Sequence, residues 1–213
     1  MKLAIFGASG ATGLLLTERA LAAGHTVSVL VRNPSAFIYR DKVRVVEGSA
    51  FAAEAVAETL AGAEAVLSAL GARSPWTPGE VLERGVPVIV EAMQHAQIAR
   101  IIVLGSSGAL DSALDHQPSW KRWLIENLLY KTVLKYPVAS QRAQYATLSS
   151  SELDWTMVMP PMLTNGPARG RYRVDGDALP NGGARIARAD VADFMMQQLT
   201  ATQWSRRGVY LTW

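Results

Sequence analysis

The chain contains no cysteine among its 213 residues, which excludes a disulfide framework, a thiolate nucleophile and a cysteine zinc site. No apolar run reaches the roughly 18 residues that a membrane span needs, and the N-terminus enters a glycine motif at once instead of showing a signal peptide. The chain also has little excess charge of either sign, with 21 basic against 18 acidic residues. The dense basic surface that nucleic-acid binding requires is therefore not expected. We therefore expect a cytoplasmic protein without a membrane or nucleic-acid partner.

The hydrophobic fraction of 49% is large enough to form a substantial core, and the length suits one domain spanning residues 1–213. Short apolar or β-branched runs alternate with helical patterns, which predicts parallel strands joined by helical crossovers. The fold class expected is α/β: a doubly wound, mostly parallel Rossmann sheet with helices on both faces. Strands are predicted over 2–6, 26–31, 43–47, 64–69, 100–104, 155–159 and 208–211, and helices over 11–23, 52–60, 81–96, 139–150 and 190–199.

Several local signals predict where elements begin and end. Pro87 implies a helix that starts near Val86 or is kinked there, because proline inside a helix costs about 3 kcal/mol. A helix break is predicted near Pro137, and Asp190 is expected to be the N-cap of the last helix. The glycine-rich stretch 164–183 predicts a loop with at most a short hairpin, inside a small C-terminal substrate-site region of about residues 160–189.

The strongest functional signal is the glycine loop between the first predicted strand and helix. Gly7 permits a tight turn, Gly10 lets the backbone approach a pyrophosphate, and Gly13 allows the helix to pack close to the strand. The free N–H groups and positive dipole end of that helix would face the phosphates. The loop predicts a bound dinucleotide, against the alternative of a plain glycine turn, with these candidate cofactor residues: Gly7, Ser9, Gly10, Ala11, Thr12 and Gly13.

The end of the second strand favours NADP(H) as the cofactor. NAD-preferring folds place an acidic residue about 20 residues after the glycine loop, but here Arg32 stands nineteen residues beyond Gly13. A guanidinium suits the 2′-phosphate of NADP through charge-assisted hydrogen bonds. The alternative is an ordinary solvated arginine at a strand end.

Five segments together resemble a known family: MKLAIFGASGATG, VLVRNP, VLSALGA, VLGSSG and LDWTMVMPP. The chain resembles the atypical short-chain dehydrogenase/reductases, the NAD(P)H-binding (NmrA-like) group, and within it is most similar to the biliverdin-IXβ reductases, which are also flavin reductases. The resemblance implies a shallow substrate site formed by the loops after strands four, five and six. It also implies that Ser106 and Ser107 lie near the nicotinamide, that Ser49 takes the place of an aspartate near the adenine, and that the following residues border the cofactor: Ala69, Leu70, Gly71 and Arg73.

Two departures from related families bear on the chemistry. No tyrosine is followed four residues later by lysine, which disfavours a carbonyl reductase with a tyrosine acid and the usual sugar-nucleotide epimerases. The histidine that follows the Met-Pro-Pro motif in biliverdin-IXβ reductases is replaced here by Met162. No single catalytic acid is therefore expected.

The other candidates have two interpretations each. Ser106 and Ser107 follow a buried strand, where open α/β sheets bind ligands, but serines also commonly begin loops. His25 and His95 are expected at the surface, and only His116 sits in a loop that could border the site. Trp76 could stack on a planar substrate, or it could pack in the core or in a lid. Arg169, Arg171 and Arg173 could bind an anionic substrate, or they could be solvated. Trp120 and Trp123 are expected to be core residues of an amphipathic helix.

These observations leave two functions open. The first is an NADPH-dependent reductase that passes hydride to a small planar acceptor such as a flavin, quinone or tetrapyrrole, with solvent supplying the proton. The second is a non-catalytic NADP-binding redox sensor of the NmrA-like kind that acts through a protein partner. Ser107 and Ser106 are the catalytic candidates for the first function, no metal is expected, and the oligomeric state is left open.

Overall fold

The computed structural model of the protein describes residues 1–71, 79–132 and 134–213. Its main feature is an eight-stranded sheet with the strand order β3-β2-β1-β4-β5-β6-β10-β8, in which only β8 runs antiparallel to its neighbour. A separate parallel pair is formed by β7 and β9. The strands are β1 (Lys2–Phe6), β2 (Thr26–Val31), β3 (Arg44–Glu47), β4 (Ala65–Ser68), β5 (Arg100–Leu104), β6 (Asp154–Met159), β7 (Met162–Thr164), β8 (Arg173–Asp175), β9 (Arg185–Ala187) and β10 (Arg207–Thr212).

Helices cover both faces of this sheet, so the predicted doubly wound α/β class is confirmed. One face carries α1 and α6, and the other carries α2, α3 and α5. The helices are α1 (Ala11–Ala22), α2 (Ala53–Leu60), α3 (Val86–His95), α4 (Ser119–Leu124), α5 (Lys135–Ser150) and α6 (Arg188–Gln197).

Strand β1 shows how a short apolar run builds two cores at once. Side chains alternate between the faces of a strand, so Leu3 and Ile5 join the cluster under α1 and α6, whereas Ala4 and Phe6 join the cluster on the opposite side. All four are buried. A strand that is apolar at every position is what a sheet covered on both faces requires.

Pro87 and Pro137 both lie in the first turn of a helix. Pro87 is the second residue of α3, which starts at Val86 as predicted, and π-helical turns over Val81–Gly85 lead into it. The helix break predicted near Pro137 is present, because the preceding helical turns end at Tyr130 and α5 begins at Lys135, but Pro137 itself is the third residue of α5. The first four N–H groups of a helix have no partner within it, so proline loses no hydrogen bond there.

The C-terminal region also departs from prediction. The stretch 164–183 is largely loop, as predicted, but it also contributes β8, which pairs with β10 of the main sheet, and the end of β7, which pairs with β9. Asp190 is not the N-cap of α6, which is Ala187. The Asp190 carboxylate is fully buried and accepts hydrogen bonds from the backbone nitrogens of Arg169 and Gly170 and from the Trp213 indole.

The expectation that Trp120 and Trp123 belong to the core is wrong. Both lie on α4 and expose 71% and 65% of their surface, respectively. The helical turns continue in π-helical form over Ile125–Tyr130. Helical spacing showed that these residues share one face but could not show what that face contacts.

Candidate functional site

A cavity of about 660 Å³ opens at the carboxyl ends of β1 and β4, where the strand order of the sheet reverses. Open α/β sheets bind their ligands at this switch point, because the two adjacent connections leave to opposite faces there. The cavity brings together most of the predicted cofactor residues. Its lining includes Gly7, Ser9, Gly10, Arg32, Ser49, Ala69, Leu70 and Gly71.

Two of the three loop glycines are required by the fold itself. Gly7 has a φ of +76°, and a Cβ atom there would lie 2.6 Å from the carbonyl carbon of Ala69. A Cβ atom on Gly13 would lie 2.1 Å from the carbonyl oxygen of Gly7. Both contacts are far below van der Waals distance, so these two glycines let the β1 loop pack against β4 and the start of α1.

Gly10 differs because the position that its side chain would occupy opens into the cavity. A Cβ atom there would meet only the carbonyl oxygen of Gly7, at 3.3 Å. The residue is the N-cap of α1, with ordinary extended backbone angles, and its nitrogen donates to the Gly7 carbonyl at 3.0 Å. The fold therefore tolerates a side chain at this position, whereas a ligand in the cavity would not.

The remaining cofactor candidates lie in two groups. Ala11, Thr12 and Gly13 form the first turn of α1 but do not line the cavity. Any contribution of these three residues to ligand binding would come from backbone N–H groups at the helix N-terminus, because the first N–H groups of a helix lack partners within it. Arg73 lies outside the described residues, as does Trp76.

Two side chains in this cavity were not identified from the sequence. Phe51 stands beside Ser49 with its ring exposed to the cavity, and the guanidinium carbon of Arg84 lies 5.2 Å from the ring centroid. Glu80 also lines the cavity, with its Oε2 3.8 Å from Nη1 of Arg84. Neither belongs to a sequence motif, so only the tertiary structure reveals them.

A second cavity of about 500 Å³ lies at the ends of β5 and β6, at the same edge of the sheet. It is lined largely by apolar side chains, with a few polar groups. Ser106 and Ser107 come from the loop after β5, and the region of residues 160–189 contributes Pro161, Met162, Leu179, Gly183 and Ala184. Such a shape suits a flat apolar molecule held by a small number of hydrogen bonds.

The structure distinguishes the two serines of this cavity. Ser106 is the N-cap of a short 3₁₀ turn, and its Oγ accepts a hydrogen bond from the Gly108 nitrogen at 3.5 Å. The Ser107 nitrogen donates to the carbonyl of Pro160, and the Ser107 and Tyr130 side chains both line the cavity. Ser106 is thus used by the local turn, while Ser107 and Tyr130 are neighbouring hydroxyl residues of the cavity wall.

Tyr130 is the main functional candidate that the sequence did not reveal. Burial raises the pKa of Tyr130 above its ordinary value, and the nearby Ser107 hydroxyl offsets only part of that increase. The phenol is therefore protonated at neutral pH. No sequence signal pointed to it, because the residue four positions later is Leu134 rather than lysine.

The weaker candidates lie away from the two cavities or perform structural tasks. His116 does not line the second cavity, and its Nδ1 is 3.6 Å from Oδ2 of Asp175. The guanidinium carbon of Arg169 lies 3.5 Å from the ring centroid of Trp213. Arg173 donates to the carbonyls of Asn181 and Trp213.

Two classes of feature are absent from the described ranges. Among residues 1–71, 79–132 and 134–213, no helix is long and apolar enough to cross a membrane. In the same ranges no cluster of histidine and carboxylate side chains is placed to hold a metal ion.

Structural comparison shows the same fold in several reductases. ChuY, an anaerobilin reductase from Escherichia coli O157:H7, superposes with a TM-score of 0.82 at 22% identity, covering 100% of this chain and 97% of that one. SP1627 from Streptococcus pneumoniae TIGR4, a candidate NADH-flavin reductase, gives 0.77 at 23% identity, with 100% and 99% coverage. A short-chain dehydrogenase/reductase from Veillonella parvula DSM 2008, in complex with NADP, gives 0.79 at 21% identity, with 100% and 94% coverage.

Sequence comparison identifies the family. YwnB of Bacillus subtilis (strain 168), an uncharacterized protein, is 34% identical over 113 residues, which are 52% of this chain and 49% of that protein. The match thus spans about half the length of this curated relative. A model of the family described as NAD(P)H-binding matches residues 7–202. The resemblance to an NAD(P)H-binding group that was drawn from the sequence motifs is confirmed, and the chain belongs to the NAD(P)H-binding family.

Proposed function

We propose that this protein is an NADPH-dependent reductase that transfers hydride to a small planar acceptor such as a flavin, a quinone or a tetrapyrrole. The observation that carries the proposal is the pair of cavities at one edge of the sheet. One is lined by the glycine loop and Arg32, and the other is apolar, with the Ser107–Tyr130 pair on its wall. A cofactor and a flat acceptor each have a site suited to their chemistry.

The first cavity fits a dinucleotide phosphate. The space left by the missing side chain of Gly10 adjoins the N-terminus of α1, where backbone N–H groups and the helix dipole favour an anion. Arg32 offers a guanidinium to a 2′-phosphate, which supports NADP(H) over NAD(H). The NADP complex of the Veillonella parvula protein adds support for this choice.

The second cavity fits the acceptor. When bound, the reduced nicotinamide supplies the hydride. The apolar walls exclude water from an aromatic ring system, and a small number of polar groups set its orientation. The fold shared with an anaerobilin reductase and a candidate NADH-flavin reductase supports a planar acceptor.

The Ser107–Tyr130 pair orients the acceptor rather than acting as an indispensable acid. Its two hydroxyls give one polar position on a largely apolar wall, which suits a carbonyl or ring nitrogen. Solvent can protonate a reduced flavin, quinone or bilin, so the reaction does not require a fixed acid. The missing tyrosine–lysine motif is consistent with this chemistry.

A screen of NADPH oxidation against flavins, quinones, azo dyes and biliverdins tests the proposal. The variant Ala184→Phe should obstruct the acceptor cavity, because Ala184 is exposed on its wall, outside the core. We expect it to raise KM for the acceptor while leaving the Kd for NADPH unchanged. Ala57→Phe is the matched control, since Ala57 is exposed on α2, which lines neither cavity.

One result would reject the reductase proposal, and another would reject the acceptor site proposed for it. Tight NADP binding without turnover of any acceptor would favour the redox sensor acting through a protein partner. Turnover that Ala184→Phe leaves unaltered would mean that the acceptor does not use this cavity.

A further inference from the structure

An exposed apolar stripe runs along α4 and the π-helical turns that follow it. Trp120, Trp123 and Leu128 expose 71%, 65% and 59% of their surface, and Leu124 exposes 43%. These residues follow one another at helical spacing, so they form one continuous face. Large apolar side chains that cluster on a surface mark a site of interaction.

Three lysines lie in the segment that carries this stripe or at the start of α5 directly after it, and within the described residues each contacts a neutral group. Lys121 donates to the amide oxygen of Gln117, and Lys131 donates to that of Asn127. Lys135 lies 5.9 Å from the centroid of the Tyr136 ring. Arg122, by contrast, is held by two carboxylates, those of Asp115 and Glu126.

We propose that this stripe is a docking surface for an anionic lipid bilayer, which it contacts without crossing. Tryptophan and leucine on one helical face, with lysines beside them, are the composition of interfacial helices, whose aromatic rings lie at headgroup depth. The lysines would add attraction to acidic headgroups. This departs from the expectation of no membrane partner, which rested on the lack of a spanning segment.

Charge argues against a second copy of the chain as the occupant. A twofold contact through this face would enclose the lysines of both copies in one interface, and like charges gathered in an interface are unfavourable. An anionic surface turns the same three charges into an attraction. The bilayer is therefore the occupant that satisfies both the apolar and the charged parts of the surface.

The stripe is continuous with the acceptor cavity. Leu129 is 41% exposed and also lines that cavity, together with Lys121 and Ile125 from the same helical segment. A docked protein would thus hold the cavity beside the lipid, where apolar quinones partition. This consequence, unlike the docking itself, rests on the proposed function.

Vesicle flotation of the full chain, without cofactor, tests the docking. Vesicles of phosphatidylcholine with about one third phosphatidylglycerol should bind the protein, with an affinity that falls as salt is raised. Pure phosphatidylcholine vesicles should bind at least about tenfold more weakly. The variant Trp120→Ser/Trp123→Ser should lose at least about tenfold in affinity for the anionic vesicles.

Matched controls distinguish binding through this surface from non-specific adsorption to vesicles. Ile38→Ser removes a similarly exposed apolar residue outside the stripe and should leave vesicle binding unchanged. Lys131→Glu/Lys135→Glu should weaken binding, whereas Lys42→Glu should have little effect. All of these side chains are exposed, so circular dichroism should show folded variants.

Three outcomes would overturn the proposal. These are no binding to anionic vesicles, equal binding by wild type and the double tryptophan variant, and a wild-type dimer in sedimentation that the tryptophan variant converts to monomer. The third would assign the stripe to self-association. Failure of the reductase proposal is detected separately, because flotation uses neither NADPH nor an acceptor.

Discussion

Replacing Gly10 by valine should impair cofactor binding while leaving folding almost unchanged. A Cβ atom at this position meets only the Gly7 carbonyl oxygen, at 3.3 Å, so an adjustment of a few tenths of an ångström accommodates it. The backbone angles of φ −78° and ψ 163° suit a β-branched residue, and the N-cap of α1 makes no side-chain hydrogen bond that valine would lose. We expect the free energy of unfolding to change by less than about 1 kcal/mol.

The same substitution should abolish NADPH binding. The two γ-methyl groups would extend into the space where the glycine loop meets the cavity, and they would block the approach of a pyrophosphate to the N-terminus of α1. We expect the Kd for NADPH to rise at least about 100-fold, which corresponds to about 2.7 kcal/mol.

The contrast with Gly13→Ala sharpens the test. A Cβ atom on Gly13 would lie 2.1 Å from the Gly7 carbonyl oxygen, so even alanine must displace the loop backbone. Gly13→Ala should therefore lower the free energy of unfolding by more than Gly10→Val does. Urea denaturation and NADPH fluorescence titration of the three proteins measure both quantities. A stable Gly10→Val variant that binds NADPH at wild-type strength would refute the assignment of the glycine loop as the pyrophosphate site.

Three further predictions concern the cofactor, the acceptor pair and alkaline stability. The wild type should prefer NADPH over NADH by about 1 to 3 kcal/mol in binding free energy, and Arg32→Glu should remove this preference. Equal affinities of the wild type for the two cofactors in titrations would contradict the assignment of Arg32. Ser107→Ala and Tyr130→Phe should each lower kcat/KM for the acceptor by less than about 100-fold, and Ser106→Ala by less again, because its hydroxyl caps a turn. A loss of about 10⁴-fold in steady-state assays, with NADPH affinity unchanged, would instead identify a true acid. Burial raises the pKa of Tyr210 to about 12, so the folded state keeps a proton that the unfolded chain loses above its ordinary pKa of 10. The free energy of unfolding of the wild type should therefore fall as pH rises from 10 toward 12. Between about pH 8 and about pH 11 the free energy of unfolding of Tyr210→Phe, measured by urea denaturation, should fall by about 1 kcal/mol less than that of the wild type.

The sequence alone predicted seven strands of the main sheet and most of the candidate cofactor residues that line the first cavity, because their signals are local. The bounds predicted for β1, β2 and β5 agree with the structure, since each strand is a short apolar run between turn residues. The glycine spacing lies within seven residues of one turn, and Arg32 follows the neighbouring strand directly. Parallel strands bring their carboxyl ends to one edge, so these residues had to meet there.

Only the tertiary structure decided how distant segments meet. Ser107 and Tyr130 are 23 residues apart and pair because the helical segment ending at Tyr130 returns over the end of β5, a contact that no periodicity encodes. Asp190 has the residue type of an N-cap, but burial beside the backbone of Arg169 gave it other partners. The spacing of Trp120 in its helix predicted an apolar face, but whether that face meets a core or the solvent depends on what the rest of the chain packs against it. Local pattern fixes which residues share a surface, whereas the assembled fold fixes what that surface contacts.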